Sequence, residues 1–299
     1  MSHVEEALRQ QRQYWREISG EVSKIPHHDL SPEAPKRIIL FGVGSSHHAA
    51  RLCEFSYLRD KSRARVPIVA CSSLAVGVEV FPTKGDWVFG ISHRGKTRAT
   101  LAAIELSERS GAYTLAVCGR DVVDVPGARF VLNTTPMEKC EPHTASLTGA
   151  VCAVTSLLMG TKALDEWDAL ASMGDPGLEQ LKEKVGKGPT VILGEWEAEW
   201  IAREAALKLI EMARVTPRVY SSEEFFHGPH LARQSEDVIW QISMSKDLRN
   251  DEIKPAYSVG IFGSSPLAAI PALIESQWMA LAVAQNLGVN PDGVTAQSF

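Results

Sequence analysis

Short apolar runs alternate along most of this chain with longer stretches whose apolar positions recur at helical spacing. The runs Arg37–Val43, Pro67–Cys71, Trp87–Ile91, Tyr113–Cys118 and Arg129–Leu132 predict strands. Between and after them, Ser46–Leu58, Thr97–Ser110 and Thr144–Leu158 predict helices. Connections of this length and order imply a parallel sheet covered on both faces, with ligands at the C-terminal ends of its strands. Ahead of this block, Val4, Leu8, Tyr14, Trp15 and Ile18 form an incomplete helical stripe that Pro26 ends, and His27–Pro35 has little periodicity. Residues 1–35 therefore read as a helical arm and linker, packed either on a neighbouring subunit or as a lid on its own domain.

The strand pattern recurs about 144 to 153 residues later. Arg37–Gly42 is echoed by Thr190–Gly194, Asp86–Ser92 by Asp237–Ser243 and Tyr113–Gly119 by Tyr257–Gly263. Each half closes on a long apolar helix, Thr144–Leu158 and Leu267–Leu287. A repeat of that length is domain-sized, so the expectation is one α/β fold present twice. The Gly/Pro-rich stretches Ser172–Gly177 and Gly186–Pro189 are the candidate boundaries. The expected division is 1–35 for the arm, 36–175 for the first domain and 176–299 for the second.

Composition narrows the partner. A net charge of -5, with no basic run longer than Lys61–Arg65, argues against a nucleic-acid polyanion. It leaves room for a small anion, because one phosphate can be held by backbone amides and hydroxyls. The 5 cysteines are scattered without a C-x-x-C pair, which argues against a disulfide framework and a structural zinc site. The first residues are polar rather than signal-like, and the apolar stretch from Gly149 to Gly160 is too short to span a bilayer. A cytoplasmic protein with no membrane partner is expected.

Two loops carry candidate chemistry. The first strand runs through Gly42-Val43-Gly44-Ser45-Ser46 into a helix, where glycine turns, hydroxyls and free N–H groups suit an anion. His47 occupies the third glycine position of a dinucleotide fingerprint, so that reading is set aside. The third strand ends in Ser92-His93-Arg94-Gly95-Lys96-Thr97, and a doubly wound sheet brings this loop near Gly44–Ser46. Of the histidine pairs, none has the helical spacing with carboxylates that a metal site needs, so no metal is expected.

Those loops, together with Glu204-Ala-Ala-Leu-Lys-Leu-Ile-Glu211 and Tyr220-Ser-Ser-Glu-Glu-Phe-Phe-His-Gly-Pro229, resemble the tandem SIS (sugar isomerase) family. The pattern is similar to the isomerase half of glucosamine-6-phosphate synthase, to amino-sugar-phosphate deaminase/isomerases and to fructosamine-phosphate deglycases, from about Lys36 to the C-terminus. The resemblance implies two doubly wound, flavodoxin-like three-layer domains in tandem. It implies that Ser45, Ser46, Ser92, His93 and Thr97 bind the phosphate of a sugar 6-phosphate. Glu211 matches the glutamate that moves a proton between sugar carbons. His227 matches the ring-opening histidine, which in the family can reach the site from the second subunit of a dimer. No cofactor is implied, and a homodimer is.

The match has departures. Arg94 stands where the family loop usually has a second serine, and either adds a contact to phosphate or points away. Glu138, Thr144 and Ser146 keep the pattern, whereas Glu141-Pro142-His143 replaces small residues; His143 either extends the site or caps the helix with Thr144. At the C-terminus, beside Ala296, Gln297 stands where the synthase has a lysine, and an amide forms no imine. From the residues alone, Lys208 reads as the surface partner of Glu204 at i,i+4. Glu211, at a helix C-terminus, meets an unfavourable dipole that raises its proton affinity. At 299 residues, two isomerase domains and an arm are expected without a glutaminase part. The functional expectation is an aldose–ketose isomerase of a phosphorylated sugar or amino sugar, with or without deamination. A deglycase releasing an amino acid and a sugar-phosphate sensor are the alternatives.

Overall fold

The computed structural model describes residues 1–25, 34–61, 66–244 and 253–293. The chain opens on helix α1 (His3–Val22), capped by the Ser2 hydroxyl. Strand β1 (Arg37–Gly42), helix α2 (Ser45–Arg59), β2 (Ile68–Ser72), β3 (Asp86–Ile91), α3 (Arg98–Arg109), β4 (Tyr113–Cys118) and β5 (Phe130–Asn133) follow. Three helices then run in succession: α4 (Ala145–Met159), α5 (Thr161–Ala171) and α6 (Leu178–Val185). Next come β6 (Val191–Gly194), α7 (Glu197–Lys208) with a π-helical turn at Leu209–Ala213, β7 (Arg218–Tyr220) and the short α8 (Ser222–Phe226). Strands β8 (Ile239–Ser243) and β9 (Tyr257–Gly260) precede α9 (Ile270–Asn286).

The strands form two parallel sheets, ordered β2-β1-β3-β4-β5 and β7-β6-β8-β9. The second order matches the first four strands of the other sheet, and each strand expected from the apolar runs is present within two residues at its N-terminal end. Strand β7 and helices α5 and α6 were not expected. The two Gly/Pro clusters flank α6, so the helix itself occupies the stretch between the candidate boundaries.

Side chains alternate across the strands. On β1, Ile38 and Leu40 enter one cluster while Ile39 and Phe41 enter another, which α3 covers with Ala103 and Ile104. On β6, Ile192 joins the same cluster as Ile38, whereas Val191 and Leu193 pack with Phe225 of α8. One face of each sheet therefore feeds a single apolar core that α1, α2, α4, α5, α7 and α9 fill between them. Trp15 of α1, Trp167 of α5 and Trp278 of α9 are fully buried in it. The arm is thus part of this chain's own core: Trp15 donates its indole N–H to Thr148 of α4 at 3.0 Å, and Arg12 bonds the carbonyls of Leu170 and Gly174.

Candidate active site

Strand β1 ends against the start of α2, and only glycine fits there. A Cβ at Gly42 would lie 2.5 Å from backbone of Ser46, and Gly44 has φ +59. This turn delivers Ser45 to the N-terminus of α2, facing α7. Ser45 Oγ donates to Glu204 at 3.0 Å and accepts from Lys208 Nζ at 3.1 Å. From the same helix, His48 Nδ1 lies 2.6 Å from the other Glu204 oxygen. Lys208 Nζ also pairs with Glu211 at 2.6 Å and with Glu204 at 3.3 Å.

Glu204 and Lys208 are both 0% exposed, so the surface pair expected from sequence is a buried one. A buried charge needs partners within hydrogen-bond reach, and these have them. Burial opposes ionisation of Glu204, but Lys208, His48 and Ser45 outweigh it and hold its carboxyl below the usual range. Burial likewise opposes the Lys208 charge, and Glu204 and Glu211 outweigh it upwards. Glu211 goes the other way: burial raises its proton affinity more than Lys208 lowers it. The π turn at Leu209–Ala213 carries Glu211 out of the regular helical register, with Arg214 in the left-handed region beyond it.

A small cleft adjoins this network, lined on its polar side by Ser45, Ser46, His93, Thr134, His143 and Ser146. Beneath it, Glu138 accepts from the Thr144 amide and hydroxyl and, at 2.8 Å, from the Ser146 amide. Burial resists the charge on Glu138, but His143 and these donors hold the carboxyl below its usual range. Thr144 is the N-cap of α4, and Glu138 supplies the anion at that helix start. His93 and His143 meet edge to face, with ring centroids 5.2 Å apart.

The structure brings Ser45, Ser46, His93, His143, Glu138, Thr144 and Glu211 into one region and treats the rest differently. Ser92 and Thr97 bond each other at 3.1 Å. Arg94 reaches Glu141 at 3.3 Å, on a half-exposed face. His227 is exposed at the end of α8, and among the described residues no hydrogen bond or ion pair joins it to Glu211. Ala296 and Gln297 lie outside the described residues. Lys208, His48 and Thr134 are the additions. For Lys208 the signal was its setting among Ala205, Ala206, Leu207, Leu209 and Ile210, a stretch without a polar face. Among the described residues no group of three His, Cys, Asp or Glu side chains is arranged to hold a metal, and no helix is long and apolar enough to cross a membrane.

No protein-family model matches the chain. Among curated proteins it is similar to glutamine–fructose-6-phosphate aminotransferase [isomerizing] of Bacteroides thetaiotaomicron, 27% identical over 220 residues, which take in 65% of this chain and 35% of that protein. The match thus spans between about a third and half of the length of the curated relatives. Among solved structures, the C-terminal domain of glucosamine-fructose-6-phosphate aminotransferase from Francisella tularensis superposes with a TM-score of 0.76 at 16% identity, covering 98% of each chain. Tagatose-6-phosphate ketose/aldose isomerase from Escherichia coli superposes at 0.75 and 17% identity, covering 98% of this chain and 96% of that one. At these identities the agreement with the solved structures is one of fold, an α/β fold with parallel sheets.

Proposed function

We propose that this protein is a sugar-phosphate isomerase, acting on a phosphorylated sugar or amino sugar without a cofactor. The observation that carries the reading is the buried Glu204–Lys208–Glu211 ladder opening beside a hydroxyl-lined cleft. The names of the relatives, aminotransferase [isomerizing] and ketose/aldose isomerase, support the same substrate class.

In this reading the cleft takes the phosphate and Glu211 moves the proton. Lys208 donates to Ser45 and to Glu211 and forms an ion pair with Glu204. Lys208 therefore orients Glu211 through one oxygen, leaving the other for chemistry. The carboxylate removes the proton from C2 of the open-chain aldose, the C–H electrons form the enediol double bond, and the carbonyl oxygen takes the charge. Transfer of the O2 hydroxyl proton to O1, with return of the abstracted proton to C1, gives the ketose. Where C2 carries an amine, the same shift yields an imine that water hydrolyses to ketose and ammonia. Burial, which raises the proton affinity of Glu211, makes it a stronger base.

The division of labour would follow the two sheets, with residues 36–175 gripping phosphate and 176–299 supplying the base; the matching strand orders support it. His227, exposed and joined to Glu211 by no hydrogen bond or ion pair among the described residues, fits a ring-opening role from the second subunit of a cytoplasmic homodimer. Gln297, where the synthase has lysine, favours a second reading in which the same base and acid cleave a sugar–amino-acid conjugate.

The test is Glu211→Gln, followed by proton NMR in deuterium oxide across sugar 6-phosphates, amino-sugar 6-phosphates and a fructosamine 6-phosphate. Wild type should exchange the substrate C2 proton, or C1 for a ketose, and the variant should lose at least 100-fold of that rate (~10²–10⁴ for a general base). Retained exchange removes Glu211 from the role. Release of a free amino acid selects the deglycase reading.

A further inference from the structure

Two imidazoles, His93 and His143, stand in the cleft. His93 follows β3, and His143 immediately precedes the N-cap of α4. Their rings meet at 82°. Both ring nitrogens of His93 and Nε2 of His143 are buried and have no hydrogen-bond partner among the described residues. Buried polar atoms are nearly always paired, and three orphaned nitrogens in one cleft ask for a ligand that pairs them.

The chain has made room for this arrangement. At the end of β4, a Cβ on Gly119 would come within 2.8 Å of His93 Cε1 and 3.1 Å of Nδ1, so the ring rests where only glycine fits. Of the hydroxyls lining the cleft, Ser45 donates to Glu204 and Thr134 to the Cys118 carbonyl, while Ser46 is able to donate to a ligand. The nearest carboxylate, Glu138, already accepts from Thr144 and Ser146.

We propose that His93 and His143 form a proton-linked grip for a dianion, in which one imidazole takes up a proton as the phosphoryl group of the substrate binds. The inference rests on the phosphate reading of the cleft and adds how that phosphate is recognised. Two neutral imidazoles offer one N–H each; protonating one adds a donor and a positive charge against the dianion. Two imidazolium rings at 5.2 Å repel, so the pair accepts one proton and not two.

Burial holds the empty pair neutral, against carboxylates around it that favour protonation. From the loop after β3 comes Arg94, and from the segment before α4 come Glu138 and Glu141. Lys208 faces His143 from α7, and Asp121 faces His93 from beyond β4. Arg94 is paired with Glu141, and Lys208 with Glu204 and Glu211. Burial is the largest influence on both rings and lowers both; His93 is brought down to about 4. A bound dianion reverses that balance. Affinity should then fall about tenfold per pH unit between the free and bound values of the pair, the slope for uptake of one proton.

Sulfate tests this cleanly, because its two charges do not change across the range and phosphate's do. Calorimetric titration of the full chain with sulfate between pH 5.5 and 7.5, in two buffers of different ionisation heat, reads the affinity slope and the proton uptake directly in the unaltered protein. The expected result is uptake close to one proton and about a hundredfold weaker binding at pH 7.5 than at 5.5. His93→Gln with His143→Ser should bind with no pH slope. Sulfate binding that is independent of pH in the wild type overturns the imidazole grip while leaving the phosphate reading in place. If sulfate, inorganic phosphate and glucose 6-phosphate all fail to bind at any pH, the phosphate reading fails with it. Tighter binding of glucose 6-phosphate than of inorganic phosphate identifies a sugar ester, rather than the free ion, as the occupant.

Discussion

Lys208 is an ammonium with no exposure, held by two carboxylates and a serine, and its removal leaves both carboxylates without their cation. Lys208→Met should therefore cost about 3–5 kcal/mol of stability at neutral pH, the usual penalty for breaking a buried pair from one side. The pH dependence follows from the directions of the shifts. Glu204 is held below its unfolded value, so its contribution is present above about pH 4.5 and lost as pH falls through the folded value. Lys208 is held above 10.5, so its contribution is present below that pH and lost on rising through the folded value. In the variant, Glu204 protonates more readily, so the deficit should shrink between pH 7 and pH 4. Urea unfolding of both proteins at several pH values reads this, and a deficit that stays constant with pH would mean the cost is one of packing. The residue types of the ladder were legible in the Glu-x-x-x-Lys-x-x-Glu spacing. Its burial was not, because helical spacing says which side chains share a face and not what that face packs against.

At the scale of elements, the strand-to-helix turns repeat more faithfully than their residues. The N-cap of α2, Gly44, has φ 59 and ψ -132; the N-cap of α7, Trp196, has φ 56 and ψ -122. Glycine takes that conformation freely, whereas a tryptophan there is strained by roughly 1–3 kcal/mol. Trp196 is also 72% exposed, so packing returns little of that cost. Trp196→Gly should leave the fold intact and stabilise it by about 1 kcal/mol, seen as a higher urea midpoint at unchanged slope. A loss of stability would mean that the indole covers apolar surface that its exposure does not suggest. The strands themselves were visible as apolar runs because buried parallel strands are apolar on both faces. Strand β7 escaped notice because its three residues, Arg218, Val219 and Tyr220, are only partly buried at the sheet edge. Helix α6 escaped because the glycines and prolines around it read as a linker, while its Leu181 and Val185 make a short apolar face that only α9 explains.

For the molecule as a whole, the single core decides how the two sheets behave. Trp15 sits at 0% exposure in the cluster that holds Leu40 of the first sheet and Ile192 of the second. Trp15→Ala should cost about 3–5 kcal/mol, and both sheets should still lose structure in one transition. The check is urea unfolding followed by hydrogen exchange at strands of each sheet, and two separated transitions would sink the common-core account. Periodicity and turn residues determined by themselves the strands, most of the helix starts and the shared helical face of Glu204, Lys208 and Glu211, because each depends on residues close in sequence. Only the tertiary structure decided that Lys208 is buried, that Ser45 bonds Glu204 rather than standing free, that Arg94 turns to Glu141 and that His93 meets His143. Those outcomes depend on contacts between segments up to 163 residues apart, where burial and distance set the charge, and neither quantity is written in local pattern.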